Sequence, residues 1–245
     1  MIRFLLIALF LVIFLVLSIP VFLIEWIIGK FSPRARDISS LRIVQAGFKI
    51  IIWMSGIKLT VKGEENVPKD TAVLYIGNHR SYFDIVLTYA RCPGLTGYVA
   101  KKEMLKIPLL SRWMKFLHCQ FLDRSDIREG LKTILAAAEE IKNGVSIMIF
   151  PEGTRSTNES ELDMLPFHEG SFKIATKTGC PIIPVAISGS SAAFEDHIPR
   201  VFPAHVTIEY GKPVYPKDLS REEQKFLGRR VQGTIAEMLK GLHSD

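Results

Sequence analysis

From Phe4 to Ile24 the chain carries no charged residue, and after Glu25 the apolar run resumes with Trp26, Ile27 and Ile28. No other stretch constrains the fold as tightly. As a helix it rises about 32 Å, close to the thickness of a bilayer core. A cleavable signal peptide has a shorter apolar region, about 7–15 residues, and then a small-residue cleavage site. Ser18-Ile19-Pro20, followed by more apolar residues, offers no such site. The run therefore predicts a retained, membrane-anchoring helix. Lys30, Arg34, Arg36, Arg42 and Lys49 follow it, against Arg3 before it. That asymmetry predicts a membrane-associated protein whose body stays on the cytoplasmic face. Pro20 and Glu25 leave room for a tilted or kinked helix that is only half inserted.

Ser32-Pro33-Arg34-Ala35-Arg36-Asp37 marks the clearest break in the chain. Beyond it, residues 37–55 carry apolar side chains from Leu41 to Met54, with Arg42 and Lys49 seven apart on one helical face. A basic helix bearing Trp53 suits the headgroup layer of a membrane, and it equally suits a core helix. A boundary is expected here, with an anchor and amphipathic helix over 1–55 and a catalytic-size domain over 56–245.

Within that domain, Ala72–Ile76, Val145–Phe150 and Pro181–Ile187 are nearly continuous apolar runs, the pattern of strands buried on both faces. Asp126–Asn143 holds Ile127, Leu131, Ile134, Leu135, Ala138 and Ile141 at helical spacing, with Ser125 placed to cap its start and Gly144 to end it. Ser220-x-x-Glu223 is a capping box that opens a C-terminal helix with Leu227, Val231, Ile235, Met238 and Leu239 on one side. Strand–helix alternation predicts an α/β fold, a single layered domain with a mixed, largely parallel sheet covered by helices.

The net charge is +6. There is no zinc spacing, helix-turn-helix signal or interleaved aromatic stripe, so nucleic acid is not expected as a partner. Anionic lipid or a phosphorylated substrate accounts better for the basicity. Cys92, Cys119 and Cys180 are odd in number and lack metal-ligand spacing, which predicts free structural thiols in a reducing compartment.

Two strings carry the chemistry, each directly after an apolar run: Asn78-His79-Arg80-Ser81-Tyr82-Phe83-Asp84 and Phe150-Pro151-Glu152-Gly153-Thr154-Arg155-Ser156. In α/β sheets ligands bind beyond the carboxyl ends of the strands, where both strings fall. Inside one helix His79 and Asp84 would point about 140° apart. If His79 precedes the helix and Asp84 lies in its first turn, the carboxylate reaches back and fixes the imidazole tautomer for general base catalysis. Ser81-x-x-Asp84 is also a capping box, so Asp84 can serve as a cap alone. In the second string Arg155 can grip a phosphate, and Gly153 lets the backbone turn tightly. A solvated turn after a strand is the plainer alternative.

Taken together the strings resemble the glycerolipid acyltransferase family, in particular the 1-acylglycerol-3-phosphate O-acyltransferases. Its first motif, Asn-His-x4-Asp, matches Asn78, His79 and Asp84. Its second matches Lys101 to Pro108 and closes at Phe121-Leu122-Asp123-Arg124. The third is Phe150 to Ser156, followed by Pro166-Phe167 and Gly170, and the fourth matches Ile183-Pro184-Val185. The resemblance implies acyl transfer from acyl-CoA or acyl carrier protein to the free hydroxyl of a lysophospholipid, with no metal or cofactor. It makes His79 the general base and Asp84 its orienter. Lys102, Arg124 and Arg155 become the cationic pocket for the acceptor phosphate, while Glu152 and Gly153, with Thr154 in the same turn, shape the glycerol site. Two positions depart from the family: Ser111 stands where a glycine is usual, and His168-Glu169 where basic residues often follow Pro166-Phe167. The partners implied are membrane lipids, the lysophospholipid acceptor and the thioester donor.

Other readings compete. A hydrolase using Ser81 lacks a G-x-S-x-G elbow. A membrane-anchored lipid-binding protein would use Arg155 and the lysines without catalysis. Within the family, glycerol-3-phosphate and other lysolipids, including those without a phosphate, are rival acceptors.

Overall fold

The computed structural model describes residues 1–244. Two long helices come first. Helix α1 (Ile2–Phe31) runs on through Pro20, and Ser32 then caps helix α2 (Pro33–Ser55) by accepting from the Ala35 N–H. Pro33 sits at the first position of α2, where a missing N–H costs nothing. The apparent linker at 32–37 is therefore a tight turn and the first turn of a helix. Gly56, in the left-handed region at φ 78°, ends α2.

One stripe of α1, with Ile7, Ser18, Phe22 and Glu25, is buried against the rest of the protein. Two of these are polar, and both are partnered: Trp113 Nε1 donates to Ser18 Oγ, and Ser39 Oγ donates to Glu25 Oε1, each at 2.7 Å. The opposite face, including Leu5, Leu9, Val12, Val16, Leu23 and Ile27, is exposed. Among the described residues α1 is the one helix long and apolar enough to cross a membrane, with a mean hydropathy of 3.2 over its most apolar window. Helix α2 has two characters at once. Leu41, Val44 and Ile51 join the core, and Gln45 Nε2 donates to the carbonyls of Tyr89 and Cys92, whereas Arg42, Lys49 and Trp53 face outward.

The chain then alternates: β1 (Lys58–Lys62), β2 (Leu74–Gly77), α3 (Tyr82–Tyr89), β3 (Thr96–Lys101), α4 (Pro108–Phe116), β4 (Gln120–Leu122), α5 (Ile127–Lys142), β5 (Ser146–Ile149), α6 (Lys173–Thr178), β6 (Ile182–Ser188), β7 (His205–Tyr210), α7 (Arg221–Lys225) and α8 (Leu227–Ser244). The described strands form one seven-stranded sheet in the order β1-β7-β6-β2-β5-β3-β4. Every neighbouring pair is parallel except β6 with β7. This is the mixed, largely parallel α/β sheet expected from the sequence. One face packs under α1–α4 through residues such as Leu41, Phe83, Leu87 and Trp113. The other packs under α5, α6 and α8 through Ile134, Ile174, Leu227, Val231 and Ile235.

The three apolar runs are β2, β5 and β6, each with ends displaced by one or two residues. Three details differ from expectation. Asp126, rather than Ser125, caps α5 by accepting from the Arg128 and Glu129 N–H groups, while Ser125 Oγ donates to Asp123. A carboxylate one residue closer to the helix takes both orphan donors. The Ser220–Glu223 capping box forms, but it opens the short α7, and the apolar stripe lies on the separate α8. Leu131 and Leu135, on the stripe read for α5, are exposed, and that helix is buried through Ile134, Ala137, Ala138 and Ile141 instead.

Candidate active site

The first motif begins where β2 stops. Asn78 takes the place of a further strand residue: its Oδ1 accepts from Ile187 N and its Nδ2 donates to Ile187 O, both at 2.8 Å. This ties the end of β2 to β6 and delivers His79 just past the sheet. Gly77 makes room below, because a Cβ there would lie 3.1 Å from the Phe150 ring. Phe150 fills that room and stacks on the His79 imidazole, with centroids 4.3 Å apart and planes 15° from parallel.

His79 lies ahead of α3 and Asp84 in its first turn. His79 Nδ1 and Asp84 Oδ2 are 2.8 Å apart. The same oxygen accepts from the N–H groups of Arg80 and Ser81, each at 2.8 Å. Asp84 thus caps α3 and orients the histidine together, and the two sequence readings are one structure. Ser81 completes the box by accepting from Phe83 N at 3.0 Å. Asp84 is fully buried, and its Oδ1 has no partner among the described residues. A carboxylate can only accept, so Nδ1 carries the hydrogen and Nε2 presents a lone pair. The His79 side chain keeps 13% of its surface exposed.

The third motif laces onto the first. Glu152, 4% exposed, accepts from His79 N at 2.6 Å through one oxygen and from Leu165 N at 2.9 Å through the other. Ser156 N in turn donates to His79 O at 2.7 Å. The backbone of His79 is therefore held on both sides by the Glu-Gly-Thr-Arg-Ser turn. Burial raises the Glu152 carboxyl above its ordinary pKa, and the two backbone N–H groups oppose that rise. Gly153 adopts φ 75°, which a β-carbon disfavours, and a Cβ there would also touch the His168 ring at 3.4 Å.

Arg155 and Arg124 bring positive charge to this turn, while Lys102 lies in the helical turn that follows β3. Arg155 Nη1 donates to Glu195 Oε1 at 2.9 Å, and its guanidinium carbon stands 3.7 Å from the Tyr82 ring centroid. The guanidinium carbon of Arg124 lies 3.9 Å from where a Gly153 Cβ would be. Lys102 Nζ pairs with Asp123 Oδ2 at 2.6 Å, and with Ser125 it holds the Asp123 carboxyl at about 2. Thr154 is exposed. Arg80 donates to the carbonyls of Asn158 and Ser160 and so pins the 156–163 loop. A groove of about 980 Å³ runs beside this loop, lined by Arg80, Thr154, Arg155, Ser156, Glu161 and Glu195 among others.

The departures from the family pattern have local explanations. Ser111 is buried in the first turn of α4 with its Oγ donating to Pro108 O at 3.1 Å. Glu169 accepts from Gly228 N at 3.0 Å at the start of α8, where a negative charge suits the helix dipole. His168 stays beside Gly153 and Arg124. Glu195 carries no sequence signal of its own. It lies 40 residues beyond Arg155, outside every motif, and only tertiary structure brings it to the site.

A sheet whose strand ends present a buried Asp–His pair beside a cation-lined turn defines a class, and comparison with known proteins names it. The sequence model of the Acyltransferase family matches residues 58–188, just over half of the chain, so the chain belongs to that family. It is 34% identical to a 1-acyl-sn-glycerol-3-phosphate acyltransferase of Cocos nucifera over 71% of this chain and 56% of that one. A protein of the same description from Saccharomyces cerevisiae is 31% identical over 79% and 63% of the two chains. The chain thus spans about three-fifths of the length of these sequence relatives. A solved structure matches end to end: the crystal structure of the 1-acyl-sn-glycerophosphate (LPA) acyltransferase PlsC of Thermotoga maritima. It superposes with a TM-score of 0.80 at 28% identity, covering 100% of this chain and 98% of that one.

Proposed function

We propose that this chain transfers a fatty acyl group from acyl-CoA or acyl carrier protein to the sn-2 hydroxyl of 1-acylglycerol-3-phosphate, making phosphatidic acid. The observation that carries this reading is His79 Nδ1 held at 2.8 Å by the buried Asp84, which leaves Nε2 free to take a proton. In the step proposed, Nε2 accepts the hydroxyl proton while the hydroxyl oxygen attacks the thioester carbonyl carbon. The new ester C–O bond forms, the C–S bond breaks, and the imidazolium returns its proton to the departing thiolate. Asp84 stabilises the imidazolium in between. No acyl-enzyme is involved, because Ser81 is fully buried and its oxygen caps α3.

Arg155, Arg124 and Lys102 supply positive charge for the acceptor phosphate, in keeping with the names of the relatives. Glu152 acts through the backbone, fixing the position of His79. The apolar outer face of α1 inserts into one leaflet, since its other face is committed to the protein through Ser18, Phe22 and Glu25. Anchoring there brings lipid acceptor and site to the same surface on the cytoplasmic side. The test is an acyltransferase assay on membranes carrying the protein, crossing 1-acylglycerol-3-phosphate, glycerol-3-phosphate and neutral lysolipids with both thioester donors. Transfer only to 1-acylglycerol-3-phosphate supports the reading. Preference for glycerol-3-phosphate, or no transfer from either donor, overturns it.

A further inference from the structure

We propose that Glu195 is a positioning residue for phosphate recognition: it fixes Arg155 against Tyr82 so that the remaining guanidinium N–H groups face the acceptor. This rests on the reading of Arg155 as a phosphate ligand. Glu195 lies beyond the segment matched by the family model, 58–188.

Two donors converge on this carboxylate, and they come from residues that also touch each other. Its Oε1 accepts from Arg155 Nη1 at 2.9 Å and from Tyr82 N, the first N–H of α3, at 2.8 Å. The Tyr82 ring supports the guanidinium from one face at 3.7 Å. One oxygen thus joins the helix that carries Asp84 to the arginine of the third motif. Glu195 is 14% exposed on its side chain, and its Oε2 is buried with no partner among the described residues. A surface ion pair would not leave a carboxylate oxygen in that state, since an unpaired buried acceptor is costly. Arginine has five N–H donors in a rigid plane. With one donor given to Glu195 and one face to Tyr82, the fork is held in a single orientation before substrate arrives. A flexible arginine would have to be ordered during each binding event.

The test compares Glu195→Ala, Glu195→Gln, Arg155→Ala and the Glu195→Ala/Arg155→Ala pair in steady-state transfer to 1-acylglycerol-3-phosphate, with Tm for each. Glu195→Ala is expected to raise the acceptor KM roughly tenfold, the scale of a hydrogen bond between charged groups, with kcat within about twofold. Glu195→Gln keeps an acceptor oxygen in place and recovers most of that KM. In the Arg155→Ala background the Glu195 substitution adds nothing further to KM. If Arg155→Ala leaves KM unchanged, the phosphate role of Arg155 falls and this inference falls with it. If Arg155→Ala raises KM and Glu195→Ala does not, this inference alone falls. A lower KM in Glu195→Ala would make the carboxylate a competing counter-charge instead. A fall in kcat and Tm at constant KM would reduce it to a cap on α3. Should Glu195→Ala not fold, Glu195→Asp withdraws the oxygen by one methylene and carries the same comparison.

Discussion

Asp84→Asn separates the charge of Asp84 from its geometry. Three N–H groups, from His79, Arg80 and Ser81, converge on Asp84 Oδ2 at 2.8 Å each. An amide nitrogen cannot face three donors, so asparagine must place its carbonyl oxygen there. Its NH2 then takes the place of Oδ1, a buried atom that has no partner among the described residues already. The substitution therefore keeps the tautomer of His79 and the cap on α3, removes the negative charge beside the imidazolium, and leaves a buried NH2 without an acceptor among the described residues, a cost that falls on Tm. A hydrogen bond to a charged group is worth about 1.5–3 kcal/mol and a neutral one about 0.5–1.5 kcal/mol, a difference of roughly 1–2 kcal/mol. In rate that is about a 5- to 30-fold loss. It should fall on kcat, because the imidazolium exists only during the reaction. Asp84→Ala instead strands two backbone donors and the cap, at about 1–3 kcal/mol for each unpaired group, and should lower Tm as well. The assay is thiol release with 1-acylglycerol-3-phosphate in detergent micelles, alongside thermal melts. An asparagine variant as inactive as one lacking His79 would show that the imidazole is not held as described. One with full kcat would show that the charge is idle.

Two further outcomes follow from buried groups. Glu152 has its carboxyl pKa raised by burial, so the folded state holds its proton more tightly than the unfolded chain. Its contribution to stability is complete below the ordinary carboxylate pKa and is lost as pH rises through the raised value. Glu152→Gln should be less stable by about 1–3 kcal/mol, because the amide can accept from only one of the two backbone N–H groups. That gap should narrow as pH rises from about 4 toward 7, and a gap constant in Tm across the range would refute the burial argument. Burial also pushes the thiols of Cys92 and Cys119 up to about 11 and about 12 and raises that of Cys180. Iodoacetamide at pH 8 should label none of the three in the folded protein and all three after unfolding. Labelling of the folded protein at the rate of a free thiol would contradict the packing.

Much of the fold was readable because the signals are local. The charge-free run from Phe4, the apolar strands β2, β5 and β6, and the 3.6-residue periodicity of α5 and α8 each declare themselves within a short window. The other strands do not. Strand β7 alternates buried and partly exposed positions, and β1 at the sheet edge carries Lys58, Thr60 and Lys62. β3 holds Gly97 and ends on Lys101, and β4 is three residues long. Such strands are specified by their neighbours rather than by their own composition. The site divides in the same way. His79, Asp84 and the Gly153 turn lie in contiguous strings, and even the double duty of Asp84 follows from its place three residues after Ser81. That Glu152 spends both oxygens on backbone N–H groups, and that Glu195 reaches Arg155, depends on loops far apart in sequence. Residue spacing carries no trace of such contacts.

The role proposed for His79 is that of base in acyl transfer to a lysophospholipid hydroxyl. Its most direct test is the transfer rate of purified His79→Ala, shown folded by an unchanged Tm, with 1-acylglycerol-3-phosphate and a saturating thioester donor. Loss of a positioned general base should lower kcat by about 10²–10⁴-fold. Transfer at the wild-type rate would exclude His79 as the base.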